Sequence, residues 1–229
     1  MSPPRIWAPP FVGLALLLTA CGTLSSARPL EKGQTRVAAT LGGPMIDFGG
    51  PLPLPFVVVE ARHGLPRLAD RPFDLGYGLN LTGLPFGLTA GHVGASWLLV
   101  EQNGARPALS LGNRVFFALN IPGGPDRPDP QLQGWGMDQI ELTASWQTGR
   151  TLPYVSLAQY IDFSNPELLL TPAAGVQVDP GDPGGFVFQS ELRWFGVTRT
   201  RDILIPTWVP GPSPLGIYLS AGIDFGGDR

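Results

Sequence analysis

The chain has 229 residues, 43% of them hydrophobic, with 15 Lys and Arg against 18 Asp and Glu and a net charge of −3. Charged residues make up 14%, well under the ~25% of ordinary soluble domains, and no basic block is present of the kind that replaces counterions on a nucleic acid, so that class of partner is excluded. Glycine and proline, at 31 and 26 residues, would suggest low complexity, but the hydrophobic fraction is too high for a disordered chain.

Residues 1–20 read as a secretory signal. Arg5 is its one charged side chain, and Phe11 to Thr19 forms an apolar core too short to span a bilayer. The core ends in Leu18-Thr19-Ala20-Cys21, followed by Gly22. This run resembles the lipobox of bacterial lipoproteins, in which signal peptidase II cuts before a cysteine that has already received a diacylglyceryl thioether. The resemblance implies cleavage between Ala20 and Cys21, acylation of the new amino group, and a lipid anchor on Cys21. More than one hydrophobic chain makes such an anchor stable, at ~0.8 kcal/mol per buried methylene. Gly22, standing where retained inner-membrane lipoproteins carry Asp, implies by the same resemblance sorting to the outer membrane of a Gram-negative cell. With Cys21 acylated, the single cysteine is not available for a disulfide, a thiolate nucleophile or a metal.

Residues 21–33 then read as the lipidated cysteine and a short polar tether, with Ser25, Ser26, Pro29 and Gly33. Beyond it the period becomes two. Phe73, Leu75, Tyr77, Leu79 and Leu81 alternate with Asp74, Gly76, Gly78, Asn80 and Thr82. Ile140, Leu142, Ala144 and Trp146 oppose Gln139, Glu141, Thr143, Ser145 and Gln147, and Phe186, Phe188, Leu192 and Trp194 oppose Gln189, Glu191 and Arg193. In the last segment Leu215, Ile217, Leu219, Ala221, Ile223 and Phe225 oppose Gly216, Tyr218, Ser220, Gly222 and Asp224. Such alternation marks strands with one apolar face. Candidate strands cover roughly 34–42, 55–64, 72–82, 86–100, 106–120, 137–148, 152–163, 171–179, 184–196 and 214–225. The uncharged run from 75 to 100 carries Asn80, Pro85 and several glycines, which disfavour a transmembrane helix. The expected fold over residues 34–229 is all-β, an antiparallel up-and-down β-barrel of about ten strands.

Alternation by itself fits a soluble barrel with an apolar interior, tethered by its lipid and binding an apolar small molecule or lipid, as well as an outer-membrane barrel with an apolar exterior. Three features favour the second. The polar face is mostly Gly, Ser, Thr, Gln and Tyr, whereas water-facing surfaces carry ~25–35% charge. Connections alternate between short and long, with the stretch near Gly83 to Pro85 as the exception, and this asymmetry belongs to outer-membrane barrels. Phe73, Trp97, Trp146 and Phe225 fall at one set of strand ends, and Phe163 and Trp194 at the other, as two aromatic girdles would require.

Catalytic chemistry is thinly represented. The histidines number two; His63 shares a face with Val57, Val59 and Ala61, as a packed residue would. His92 and Ser96 share a face, but four residues of strand separate them by ~13 Å, too far for a nucleophile and its base. Asp179 to Gly185 has the composition of a turn, and Gly123 to Pro130, with Asp126 and Asp129, that of an exposed loop. No catalytic, cofactor-binding or metal site is therefore expected, and the chain is not expected to be an enzyme. Glu60 with Arg62, and Glu191 with Arg193, lie on polar faces where isolation from water obliges them to pair. Gln139, Glu141, Gln189, Glu191 and Arg193 are expected to form a polar network in the lumen of a structural or narrow-pore barrel. Outer-membrane lipid is the expected partner; protein partners are unspecified. Cys21→Ala should leave an unprocessed precursor, and mass spectrometry of the wild-type N-terminus should find acyl mass on Cys21; a mature N-terminus elsewhere would contradict the anchor.

Overall fold

A computed structural model describes residues 24–47, 51–53, 56–86, 88–120, 134–163, 169–178, 185–195 and 215–227. The expected signal segment, Cys21, the stretch 123–130 and most of the run 179–185 lie outside the described residues. The strands in chain order are β1 (Gln34–Asp47), β2 (Pro51–Pro53), β3 (Phe56–Leu68), β4 (Arg71–Asn80), β5 (Leu88–Val100), β6 (Ala108–Asn120), β7 (Gly134–Ser145), β8 (Thr151–Asp162), β9 (Leu169–Val178), β10 (Phe186–Trp194) and β11 (Leu215–Gly226). Each of β3 to β11 pairs antiparallel with its sequence neighbour, β3 pairs with β1, and β1 closes the ring on β11. The short β2 only extends the far end of β1. The result is a closed ten-stranded up-and-down barrel, which leaves its wall without an unpaired edge.

The period-two pattern turns its apolar side outward. In β11, Tyr218 is fully buried and Asp224 nearly so, whereas Leu219 is 57% exposed. In β7 the side chains of Gln139, Glu141, Thr143 and Ser145 are buried while Ile140 and Leu142 stand out. The same inversion holds around the ring, with Leu41, Tyr77, Val93, Leu157 and Leu192 exposed and Arg36, Arg62, Arg114 and Arg193 enclosed. The apolar-interior arrangement of a soluble barrel is thus not the one this chain adopts.

One end of the barrel holds the start of β1, the end of β11 and the tighter connections. Strand β3 runs on to Leu68, past the expected end near residue 64, and the β3–β4 turn is reduced to Ala69 and Asp70 at φ 50° and 61°. Positive φ at both central positions matches the right-handed twist of the strands it joins. Gly149, at φ 60°, opens the turn bridged by Thr148 and Thr151. The longest connections, 121–133 and 195–214, leave the opposite, loop end.

Glycines on the inner face make room for bulky partners across the ladder. Gly76 lies opposite Arg62, Gly94 opposite Arg114, and Gly175 opposite both Tyr154 and Glu191. A Cβ on Gly94 would overlap the Arg114 side chain, and one on Gly175 the Tyr154 hydroxyl. On the β6–β8 side of the interior, Phe116, Met137, Ala158 and Tyr160 form a small apolar cluster.

The seam where the ring closes is fastened by side chains as well as by its ladder. Arg36 and Asp224 are direct register partners. The Arg36 guanidinium donates from Nε to Asp224 Oδ1 (2.6 Å) and from Nη2 to Oδ2 (2.7 Å), and its Nη1 donates to Gln177 Oε1 at 3.0 Å. This planar two-bond geometry is the strongest ion-pair arrangement that side chains make. Asp224→Ala should accelerate hydrogen exchange first in the facing amides of residues 34–44 and 216–226, ahead of the β6–β7 ladder; uniform acceleration would show that the pair does not act at the seam.

Candidate functional site

Among the described residues polar side chains converge in the lumen, and the segment 24–30 packs against them. Leu24, Ser25, Ser26, Ala27 and Leu30 are all buried, in a stretch that the sequence marked only as a short polar tether. The chain leaves β1 at Gly33, whose N–H donates to the Gly64 carbonyl (3.0 Å). It passes Asp74, which accepts from the Leu30 N–H at 2.7 Å, and Gln102 in the β5–β6 connection, reached by Arg28 at 3.3 Å. Ala27 then packs on Leu152 and Tyr154. From there the segment rises into the bore, because Ser25 meets residues near the middle of β7, β8 and β10.

Ser25 is held from every side. Its hydroxyl donates to Glu141 Oε1 (2.6 Å), lies 2.8 Å from the Ser156 hydroxyl and accepts from Arg193 Nη2 (2.9 Å). Its N–H donates to Glu191 Oε2 (2.9 Å), and its carbonyl accepts from Gln189 Nε2 (2.8 Å). Arg193, 1% exposed, is the hub of the surrounding network. It donates from Nε to Glu191 Oε1 (2.8 Å) and from Nη1 to the Tyr160 hydroxyl (2.5 Å), with Glu141 Oε1 at 3.6 Å. The Tyr154 hydroxyl donates to Glu191 Oε2 (2.9 Å) and accepts from Gln189 Nε2 (2.7 Å).

Of the residues expected to form a polar network, Glu141, Gln189, Glu191 and Arg193 therefore meet at one place. Gln139 is buried as well, but its amide has no hydrogen-bond partner among the described residues. Tyr154, Ser156, Tyr160 and Ser25 complete the cluster and were missed. Tyr154, Ser156 and Tyr160 share one parity along β8, a signal the sequence did contain; Ser25 carried none, since it lies in no periodic segment.

A second set of charges lies beside Ser26. Arg62 pairs with Asp74, through Nη2, and the same nitrogen donates to the Arg28 carbonyl (3.3 Å). The expected Glu60–Arg62 contact is only a 4.0 Å approach, and Glu60 instead holds His92 Nε2 at 3.0 Å. Arg114 donates to the Leu24 carbonyl (2.6 Å) and to the Ser26 hydroxyl (2.9 Å). His63 lies on the outer side of β3, between the Thr35 hydroxyl (3.1 Å) and the Tyr77 hydroxyl (3.3 Å). No hydrogen bond joins His92 to Ser96 among the described residues, and no three of their His, Cys, Asp and Glu side chains are grouped to hold a metal ion.

Aromatic residues collect at the turn end of the outer surface. Phe73 faces Trp97 across the β4–β5 ladder, and the indole N–H groups of Trp97 and Trp146 donate to the Leu68 carbonyl (3.0 Å) and the Ala105 carbonyl (3.1 Å). Phe225 is exposed at the same end, whereas Phe163 and Trp194 are exposed at the loop end.

Removing one partner from a buried ion pair typically costs about 3–5 kcal/mol. Glu191→Ala should approach that loss, because Arg193 keeps a carboxylate only at 3.6 Å, and Glu191→Ala/Arg193→Met should lose less than Glu191→Ala does. Urea unfolding followed by tryptophan fluorescence reads both; equal losses would mean that the two charges are not coupled.

No family model matches the chain, and no curated protein matches it. Among solved structures it is similar to Ail, the attachment invasion locus protein of Yersinia pestis, at 11% identity and a TM-score of 0.26, over 85% of this chain and 99% of that one.

Proposed function

We propose that the chain is an outer-membrane β-barrel protein, anchored in addition by lipid on Cys21, with a structural or narrow-pore role and no catalytic one. The observation that carries this reading is the inverted polarity of the wall. Leu219 and its neighbours present a largely apolar surface outward, interrupted on β6–β8 by Asn113, Asp138 and Gln159, while Arg36, Arg62, Arg114 and Arg193 are enclosed. Soluble monomers rarely expose apolar surface on that scale, whereas a bilayer requires it, together with a wall whose backbone groups are all paired. The indoles of Trp97 and Trp146, hydrogen-bonded at the turn end, suit the lipid–water boundary. The filled lumen supports a closed or narrow passage rather than free diffusion, because ten strands only slightly exceed the size that side chains can fill.

Leu219→Arg places a charge on the outer face and should destabilise the inserted barrel by about 2–4 kcal/mol if that position lies near the bilayer midplane. In the Cys21→Ala chain reconstituted in phospholipid vesicles, Leu219→Cys should resist a water-soluble maleimide that labels it fully in urea. Equal labelling in vesicles and in urea would place that face in water and overturn the reading in favour of a soluble tethered barrel.

A further inference from the structure

We infer that residues 24–31 are a displaceable stopper, and that the lumen conducts ions when this segment withdraws through the turn end. The inference rests on the membrane-spanning reading above and adds to it a gate.

The wall does not need the segment. The ring closes through the β1–β11 ladder, which pairs Gln34–Pro44 with Gly216–Gly226, and residues 24–30 make no backbone–backbone hydrogen bond to any strand among the described residues. The lumen grips them by side chains instead. Arg114 holds the Leu24 carbonyl, Glu191 and Gln189 hold the two sides of the Ser25 peptide backbone, Arg62 holds the Arg28 carbonyl, and Asp74 holds the Leu30 N–H. Water can replace each of these contacts, so withdrawal exchanges hydrogen bonds without breaking the sheet.

The remaining space is already polar. A cavity of about 30 Å³, room for about one water, adjoins Leu24 and Ser25 and is bordered toward the seam by Arg36 and the small residues Ala38, Thr40, Ser220 and Gly222. A second, smaller one of about 10 Å³ adjoins Ser26 and is lined by Glu60, Arg62, His92 and Arg114. Large side chains crowd the β6–β8 side, where Phe116, Met137 and Tyr160 cluster, so a passage would open toward the seam, where the first cavity borders Leu24 and Ser25.

A hinge and a latch sit where the segment meets the wall. Gly33, at φ 78°, joins it to β1. At the rim, Glu31 and Arg67 form an ion pair at 3.1 Å with both side chains more than half exposed, an arrangement that contributes little to stability and weakens with salt. Just inside, Gly64 lets the segment lie flat on β3, since a Cβ there would overlap the Glu31 carbonyl.

The experiment uses the full chain carrying Cys21→Ala in planar lipid bilayers with potassium chloride. Ser25 Oγ and Ser156 Oγ are 2.8 Å apart, so Ser25→Cys/Ser156→Cys can be bridged with the segment seated. The oxidised pair should abolish channel openings and dithiothreitol should restore them, while deletion of residues 24–31 should raise the mean current about tenfold or more over the parent chain. The bridged form needs no folding without the segment, and so covers the case in which the deletion fails to assemble. Openings that persist in the oxidised pair, or a deletion variant that inserts but stays silent, would overturn the gate and leave the membrane barrel standing. Failure of the parent chain itself to insert would overturn the membrane reading and the gate with it.

Discussion

Charges on the inner face of a closed wall lose their water, and the organisation of this lumen follows from supplying them with partners. An unpaired ion in such a place carries a penalty of several kcal/mol. The wall answers with carboxylates where it has them, giving Asp224 to Arg36, Asp74 to Arg62 and Glu191 to Arg193. Elsewhere peptide carbonyls serve, and the N-terminal segment brings them. Arg114 and Arg62 both donate to main-chain oxygens of that segment, at Leu24 and Arg28. A stretch with little hydrophobic reason to be buried is thereby drawn into the barrel.

Volume is the companion requirement. Four arginines and two tyrosines on β8 need space in a bore of nearly minimal width, and the inward glycines provide it. Gly76, Gly94 and Gly175 each stand across the ladder from a long side chain; an added carbon would collide at Gly94 and Gly175 and press closely on Arg62 at Gly76. The glycine content that resembles low complexity in the composition is thus, at these positions, the complement of the arginines. Its distribution follows strand register, which composition does not reveal.

The strands were legible because alternation survives wherever one face is apolar; β7, β10 and β11 follow their period-two runs closely. The direction of the faces was legible too, from a polar side rich in Gln, Ser and Thr but poor in charge. Pairings were less so. Arg62 and Glu60 are two apart on one strand, yet Asp74, diagonal to Arg62 across the β3–β4 ladder, is the nearer partner, and that relation depends on a register set by the Ala69–Asp70 turn together with the bulge between Leu65 and Leu68. Ser25 was illegible altogether: it lies in no periodic segment, and its partners come from strands more than a hundred residues away.

The depth of Leu24 bears on the chemistry expected at Cys21. Three residues of fully extended chain reach about 11 Å at most, so a lipid on Cys21 would be held within that distance of a seated Leu24. Each methylene kept beside the polar lumen rather than in hydrocarbon would forfeit ~0.8 kcal/mol. Acylation of Cys21, were it to occur, would compete with seating for the same few residues: the bilayer would draw the modified chain out, while the arginines and glutamates of the lumen hold it in. Maturation of the N-terminus would then be more than the attachment of an anchor, since the same covalent step that tethers the protein would also loosen its stopper.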